Sequence, residues 1–239
     1  MRRSASPQRV HRLGFVALII AVLFSVIYFS NSRRDVQKPV SNSTPAPQKI
    51  AASQSILIVV DVQRDFWIPE VSGSRPDFTA NLESLLAVCR ASDVPILHVR
   101  TAFDPRQKNF PAAFQKTHDE LRLCDPGTRG FEPLPCAVAL QQEPVFEKGN
   151  FDPFSLDRFR AAVADSGAKN VYICGLYTDV CVLSTALSAF NSGYRVTLIE
   201  DCCASTPATH EFVIQRFRNF IFDTLGHEEF ARRIVRRSS

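Results

Sequence analysis

Residues 171–192, VYICGLYTDVCVLSTALSAFNS, pass from a short apolar run through Gly175 and a polar loop into an apolar stretch of helical length. The next apolar run, YRVTLI at 194–199, follows almost at once. A strand, a helix and a second strand in that order predict a βαβ unit, whose two strands lie parallel in one sheet. The run 171–174 shows no polar/apolar alternation, as expected of a strand covered on both faces.

The same grammar extends in both directions. Strands are predicted at 56–60 (ILIVV), 94–100 (VPILHVR), 145–147 (VFE) and 220–222 (FIF), and helices at 80–91, 155–166, 179–192 and 207–219. The first helix places Leu82, Leu85, Leu86 and Cys89 at the i, i+3, i+4, i+7 spacing of one buried face. Such alternation predicts an α/β domain with a largely parallel sheet, and no internal repeat interrupts it. The stretch 101–144, rich in Pro and Gly, reads as a long excursion able to wall or cover a site. In sheets of this kind ligands sit beyond the carboxyl ends of the strands.

Three chemically capable residues fall at those ends. Asp61 follows the first strand within IVVDVQRDF; a carboxylate there needs a partner or a task, and a structural cap fits as well as a catalyst. Lys148 follows the 145–147 strand in VFEKGNFDPF, where Gly149 frees the backbone to turn; an ordinary solvated lysine is the competing reading. Thr178 is a suitable N-cap, which would put Cys181 in the first helical turn, where free N–H groups and the helix dipole favour a thiolate. Inert packing in an apolar helix accounts for Cys181 equally well from position alone.

The segments IVVDVQRDF, VFEKGNF and CGLYTDVCV, in that order and at strand ends, resemble the isochorismatase-like cysteine hydrolase superfamily over roughly residues 55–224. The resemblance implies a Rossmann-like three-layer α/β/α fold with a six-stranded sheet and a catalytic triad of Asp61, Lys148 and Cys181. It also implies a non-proline cis bond between Leu176 and Tyr177, and an oxyanion hole built from the backbone N–H groups of Tyr177 and Cys181. The implied chemistry is hydrolysis of a C–N bond in a small amide, carbamoyl or ureido compound through a thioester. Phe66, Trp67, Phe151 and Tyr177 adjoin the triad in sequence and are candidate substrate walls, although core packing suits each as well. Arg64 and Asp65 fit either ion-paired structure or recognition of a substrate carboxylate.

Departures from the family pattern narrow the choice among its members. Nicotinamidases bind a metal through an Asp and several His residues downstream of the catalytic Asp, and no His lies between Asp61 and Asp93. This sequence is therefore closer to the metal-free amidohydrolases, similar to N-carbamoylsarcosine, biuret or ureidoacrylate hydrolases, with no cofactor expected. Isochorismatases proper lack the cysteine. His98, His118, His210 and His227 have no ligand-like spacing and read as surface or loop residues, and the seven cysteines form no C-x-x-C pair. An inactive, membrane-tethered binding protein of the same fold is the reading from another functional class.

The amino-terminal part has a different character. The first 50 residues hold eight of the 28 basic residues and one of the 24 acidic ones, leaving 20 and 23 and a net of about −3 for the rest. A domain of that sign has no bulk electrostatic reason to bind nucleic acid. Residues 1–12 form a basic flank, 13–30 an apolar run expected to act as a membrane anchor or cleaved signal, 31–53 a polar linker and 54–239 the hydrolase domain. Four Arg precede the span and Arg33, Arg34 and Lys38 follow it. That slight excess favours a catalytic domain outside the cytoplasm or in a lumen. Homo-oligomers are common among such enzymes, but the sequence displays no interface.

Overall fold

The computed structural model describes residues 48–106 and 110–236. The flank, the apolar run and residues 31–47 of the expected linker lie outside them; among the described residues no helix is long and apolar enough to cross a membrane. The last residues assigned to that linker are structured. Strand β1 (Ile50–Ala51) pairs in parallel with β8 (Ile234–Val235), and Ile50 and Ala52 are buried.

The main sheet has six strands: β2 (Ser55–Val60), β3 (Ile96–Thr101), β4 (Val145–Lys148), β5 (Asn170–Leu176), β6 (Arg195–Ala204) and β7 (Asp223–Leu225). Their order is β4-β3-β2-β5-β6-β7, and every neighbouring pair is parallel. The chain thus winds outward from β2 in one direction and from β5 in the other. Right-handed crossovers running in opposite directions put their helices on opposite faces, so all six residues of β2 are buried. The switch of winding direction lies between the carboxyl ends of β2 and β5.

The helices are α1 (Pro69–Ser74), α2 (Phe78–Ala91), α3 (Gln115–Leu121), α4 (Asp157–Asp165), α5 (Leu183–Asn191), α6 (Pro207–Phe217) and α7 (His227–Arg233). Helix α2 buries Leu82, Leu85, Leu86 and Cys89 as its spacing predicts; each fully buried leucine contributes on the order of 2 kcal/mol. Residues 179–182 of the predicted 179–192 helix instead form a π-helical segment, Thr178–Val182. The strand expected at 220–222 is a turn: Phe220 is 65% exposed, and the Phe220 and Ile221 N–H groups donate back to the Phe217 carbonyl. The sheet regains a strand only at Asp223.

One buried ion network fastens the β4 side. Glu143 accepts from Arg90 Nε (2.8 Å) and Arg90 Nη2 (3.0 Å) on α2, from the Leu140 N–H (2.9 Å), and lies 2.9 Å from His98 Nε2 on β3. Burial alone would raise its pKa, but Arg90 and the other donors outweigh that and hold the carboxyl at about 2. His98 is therefore a buried structural residue, not the surface residue its isolated position suggested.

Candidate active site

Asp61 leaves β2 with φ of 50°, a left-handed conformation that Asp tolerates better than most residues. Across the switch point, Gly175 has φ of 128°, and a Cβ there would lie 2.0 Å from the Val60 carbonyl oxygen. Only glycine lets the ends of β2 and β5 come this close. The approach carries Asp61 and the segment after β5 into one cluster.

Lys148 Nζ is the centre of that cluster. It donates to Asp61 Oδ2 (2.7 Å), Thr101 Oγ1 (2.8 Å) and the Asn150 carbonyl (2.9 Å), and reaches Cys181 Sγ at 3.5 Å. Asp61 and Lys148 are fully buried and Cys181 is 4% exposed. Burial favours a neutral amine, but Asp61 first and then Cys181 reverse this and raise the Lys148 pKa above its ordinary value, so it stays an ammonium. Burial also pushes the Cys181 thiol up; Lys148 opposes the rise and Asp61 adds to it. The net direction is upward, so the resting sulfur is a thiol. Asp61 Oδ1 is buried without a hydrogen-bond partner. Asp61 helps to keep the neighbouring thiol protonated, and with Oδ2 pinned by the Lys148 cation, Oδ1 is the oxygen available to take that proton.

The peptide bond between Leu176 and Tyr177 is cis. The residue before the π-helical segment is Tyr177, and Thr178 does not cap it: its hydroxyl pairs with His210 Nδ1 at 2.8 Å, in a buried contact. Cys181 still lies within the first turn, and Thr185 Oγ1 donates to its carbonyl at 2.6 Å. His210 is another buried histidine that spacing assigned to the surface. Burial, then Arg75, lowers its pKa from 6.5 to about 4, with Asp179 opposing. An unfolded chain takes up that proton first, so the stability tied to neutral His210 is complete above about 6.5 and is lost as pH falls toward about 4. Urea unfolding across that window should show the loss, with a shallower decline in His210→Gln.

The wall candidates separate. Phe66 and Tyr177 meet edge to face at 5.4 Å, and Phe151 joins Phe103 and Phe114 on the excursion. Trp67 turns away onto Phe78 of α2, with centroids 4.9 Å apart, and belongs to the packing. Arg64, half-buried, turns its shielded Nε to the exposed Glu132 at 3.3 Å. Asp65 Oδ2 accepts the Cys124 N–H at 2.7 Å, and Gly130 lies so close that a Cβ would sit about 2.0 Å from the Asp65 carboxylate. Asp65 therefore pins the excursion to the segment after β2. His118, within that excursion, is buried and paired with Asp125 at 2.7 Å.

Two positioning residues escaped the sequence reading. Thr101 ends β3 as Asp61 precedes the turn from β2, and a polar residue at a strand end was the available signal. Gln63 ties β2, β3 and the excursion together: its Nε2 donates to the Thr101 and Phe131 carbonyls, and its Oε1 accepts the Thr101 N–H. Cys124 is also close enough for Asp61 and Cys181 to contribute to its raised pKa, behind burial as the first cause.

Residues 55–229 match the isochorismatase domain. The chain belongs to the isochorismatase family. Among relatives of this isochorismatase-family hydrolase is the ureidoacrylate amidohydrolase RutB of Azorhizobium caulinodans, 23% identical over 190 residues that span 70% of this chain and 81% of that protein. The fold is shared with a cysteine hydrolase from Pseudomonas syringae pv. phaseolicola, with a TM-score of 0.70 and 17% identity over 79% of this chain and 97% of that one. It is shared too with N-carbamoylsarcosine amidase from Thermoplasma acidophilum, with a TM-score of 0.61 and 20% identity over 73% and 97%.

Proposed function

We propose that this hydrolase cleaves the C–N bond of a small amide, carbamoyl or ureido compound, with Cys181 as nucleophile. The observation that carries the reading is the unpartnered Asp61 Oδ1 in a buried cluster whose other members are a lysine ammonium and a cysteine thiol. The relatives named for ureidoacrylate and N-carbamoylsarcosine support the substrate class.

The cycle balances with these three side chains. Cys181 gives its proton to Asp61 Oδ1 as sulfur attacks the carbonyl carbon, and the carbonyl electron pair moves onto oxygen. The backbone N–H groups of Tyr177 and Cys181 receive that oxyanion. As the intermediate collapses, the C–N bond breaks and the departing nitrogen takes the proton from Asp61, leaving a thioester. Water then gives a proton to Asp61 and its oxygen to the carbonyl; the C–S bond breaks and the sulfur recovers the proton. Lys148 remains a cation throughout, offsetting the charge that passes between Asp61 and Cys181.

Ammonia release from simple carboxamides, N-carbamoyl amines and ureido acids tests the proposal. Release from at least one class is expected, with a thioester adduct on Cys181 detectable by mass spectrometry in rapidly quenched samples. No release from any class, together with no selective alkylation of Cys181 by iodoacetamide, would leave an inert fold as the better description.

A further inference from the structure

A second cluster of chemically competent side chains lies outside the triad, on the other arm of the sheet. Successive residues of a regular strand point to opposite faces. Strand β6 is not regular: Ile173 pairs with Leu198, but two residues later Gly175 pairs with Cys203, so β6 accommodates extra residues between them. Bulges of this kind re-aim side chains. Here Asp201 and Cys202, though adjacent, both approach the turn after β7, where Ile199 pairs with Leu225 and brings His227 alongside.

One carboxylate oxygen of Asp201, the sulfur of Cys202 and an imidazole nitrogen of His227 all lie within 4.8 Å of one another. The Asp201 carboxylate accepts the His227 N–H at 2.9 and 3.1 Å, and His227 Nδ1 lies 2.7 Å from Oδ2. The Asp201 carbonyl accepts Asn81 Nδ2 of α2 at 3.2 Å, so the bulge is anchored from behind. Cys202 is fully buried, whereas the side chains of His227 and Asp201 are 14% and 34% exposed. The cluster therefore has a closed, sulfur-bearing floor and one side open to solvent. Capping of α7 explains the contacts between Asp201 and His227, but not a bulge that turns a thiol into the same cluster.

We propose that Asp201, Cys202 and His227 bind a zinc-class divalent cation, with water in the fourth, solvent-facing position. One thiolate, one imidazole and one carboxylate suit a tetrahedral, borderline-soft ion and do not suit Mg²⁺ or Ca²⁺, which take oxygen ligands. On binding, the Cys202 thiol releases its proton to solvent and the ion takes up the sulfur lone pair. The ion clips the β6 bulge to the first residue of α7, and none of its ligands is Asp61, Lys148 or Cys181. Sequence spacing conceals such a site because Cys202 and His227 lie 25 positions apart, and only the parallel β6–β7 pairing closes that gap.

Cobalt(II) added to full-length, chelator-stripped protein tests this apart from turnover. One equivalent is expected to produce a sulfur-to-cobalt charge-transfer band with the visible absorption of a tetrahedral ion, displaced by zinc. The band should persist in Cys181→Ala. It should weaken in His227→Gln and in Asp201→Asn by at least the roughly 10- to 100-fold that loss of even an outer-sphere partner costs. Asn at 201 retains an acceptor for the His227 N–H, so that variant is expected to fold. A band lost in Cys181→Ala but intact in Asp201→Asn would place the metal at the nucleophile and overturn the proposal, as would the absence of any sulfur-to-cobalt band.

Discussion

Cys181→Ala is expected to lower kcat by roughly 10⁴-fold or more, since loss of a covalent nucleophile leaves only binding and oxyanion stabilisation. Its unfolding midpoint should move little, because removing one sulfur leaves the Lys148 contacts to Asp61, Thr101 and the Asn150 carbonyl in place. Asp61→Asn should behave differently. It removes the proton acceptor, which costs about 10²- to 10⁴-fold in rate, and it leaves Lys148 as a buried cation without its carboxylate, which costs about 3–5 kcal/mol of stability. Steady-state kinetics beside denaturant unfolding separate the two effects. Undiminished turnover in Cys181→Ala would remove the sulfur from the mechanism.

The three residues of the proposed triad stand out in the sequence to different degrees, for a physical reason. A parallel sheet covered on both faces writes its strands as unbroken apolar runs, so a charged or nucleophilic residue directly after such a run marks a carboxyl end. Asp61 carries that mark directly and Cys181 carries it through the loop after β5, whereas Lys148 ends the edge strand β4 behind the exposed Glu147 and is marked less clearly. The same rule failed at 220–222, where three apolar residues form a turn; β7, Asp223–Leu225, is held in the sheet by backbone pairing and has little apolar pattern to read. The N-cap preference failed for Thr178, whose hydroxyl is taken by His210, a partner 32 positions away. His98, His118 and His210 are buried, although their lack of ligand-like spacing suggested surface or loop positions. Their partners, Glu143 for His98, Asp125 for His118 and Thr178 for His210, come from other segments or from across a turn. Spacing along the chain reports helix faces and strand ends; it says little about contacts that a crossover creates.

Gly175→Ala is the substitution expected to damage the fold most. Its φ of 128° is unfavourable for any L side chain, and an added methyl group would lie 2.0 Å from the Val60 carbonyl oxygen and 2.8 Å from the Val60 nitrogen. The obstacle is backbone in the middle of the sheet, so no side chain can rotate away. Backbone strain of about 1–3 kcal/mol and overpacking of a similar size together take roughly 2–6 kcal/mol from a domain whose total stability is typically 5–15. Gly193→Ala supplies the control. Gly193 also has positive φ, 88°, but a Cβ there meets nothing within 4 Å, so only the conformational part of the cost remains, about 1 kcal/mol. Denaturant unfolding of both variants should therefore show a much larger loss at 175. Relief of the clash must push β2 and β5 apart where Asp61 begins, which withdraws Oδ1 from the Cys181 thiol, so residual turnover should fall more steeply than the folded fraction. Equal stability of the two variants would mean that the close approach at the switch point does not hold the site together.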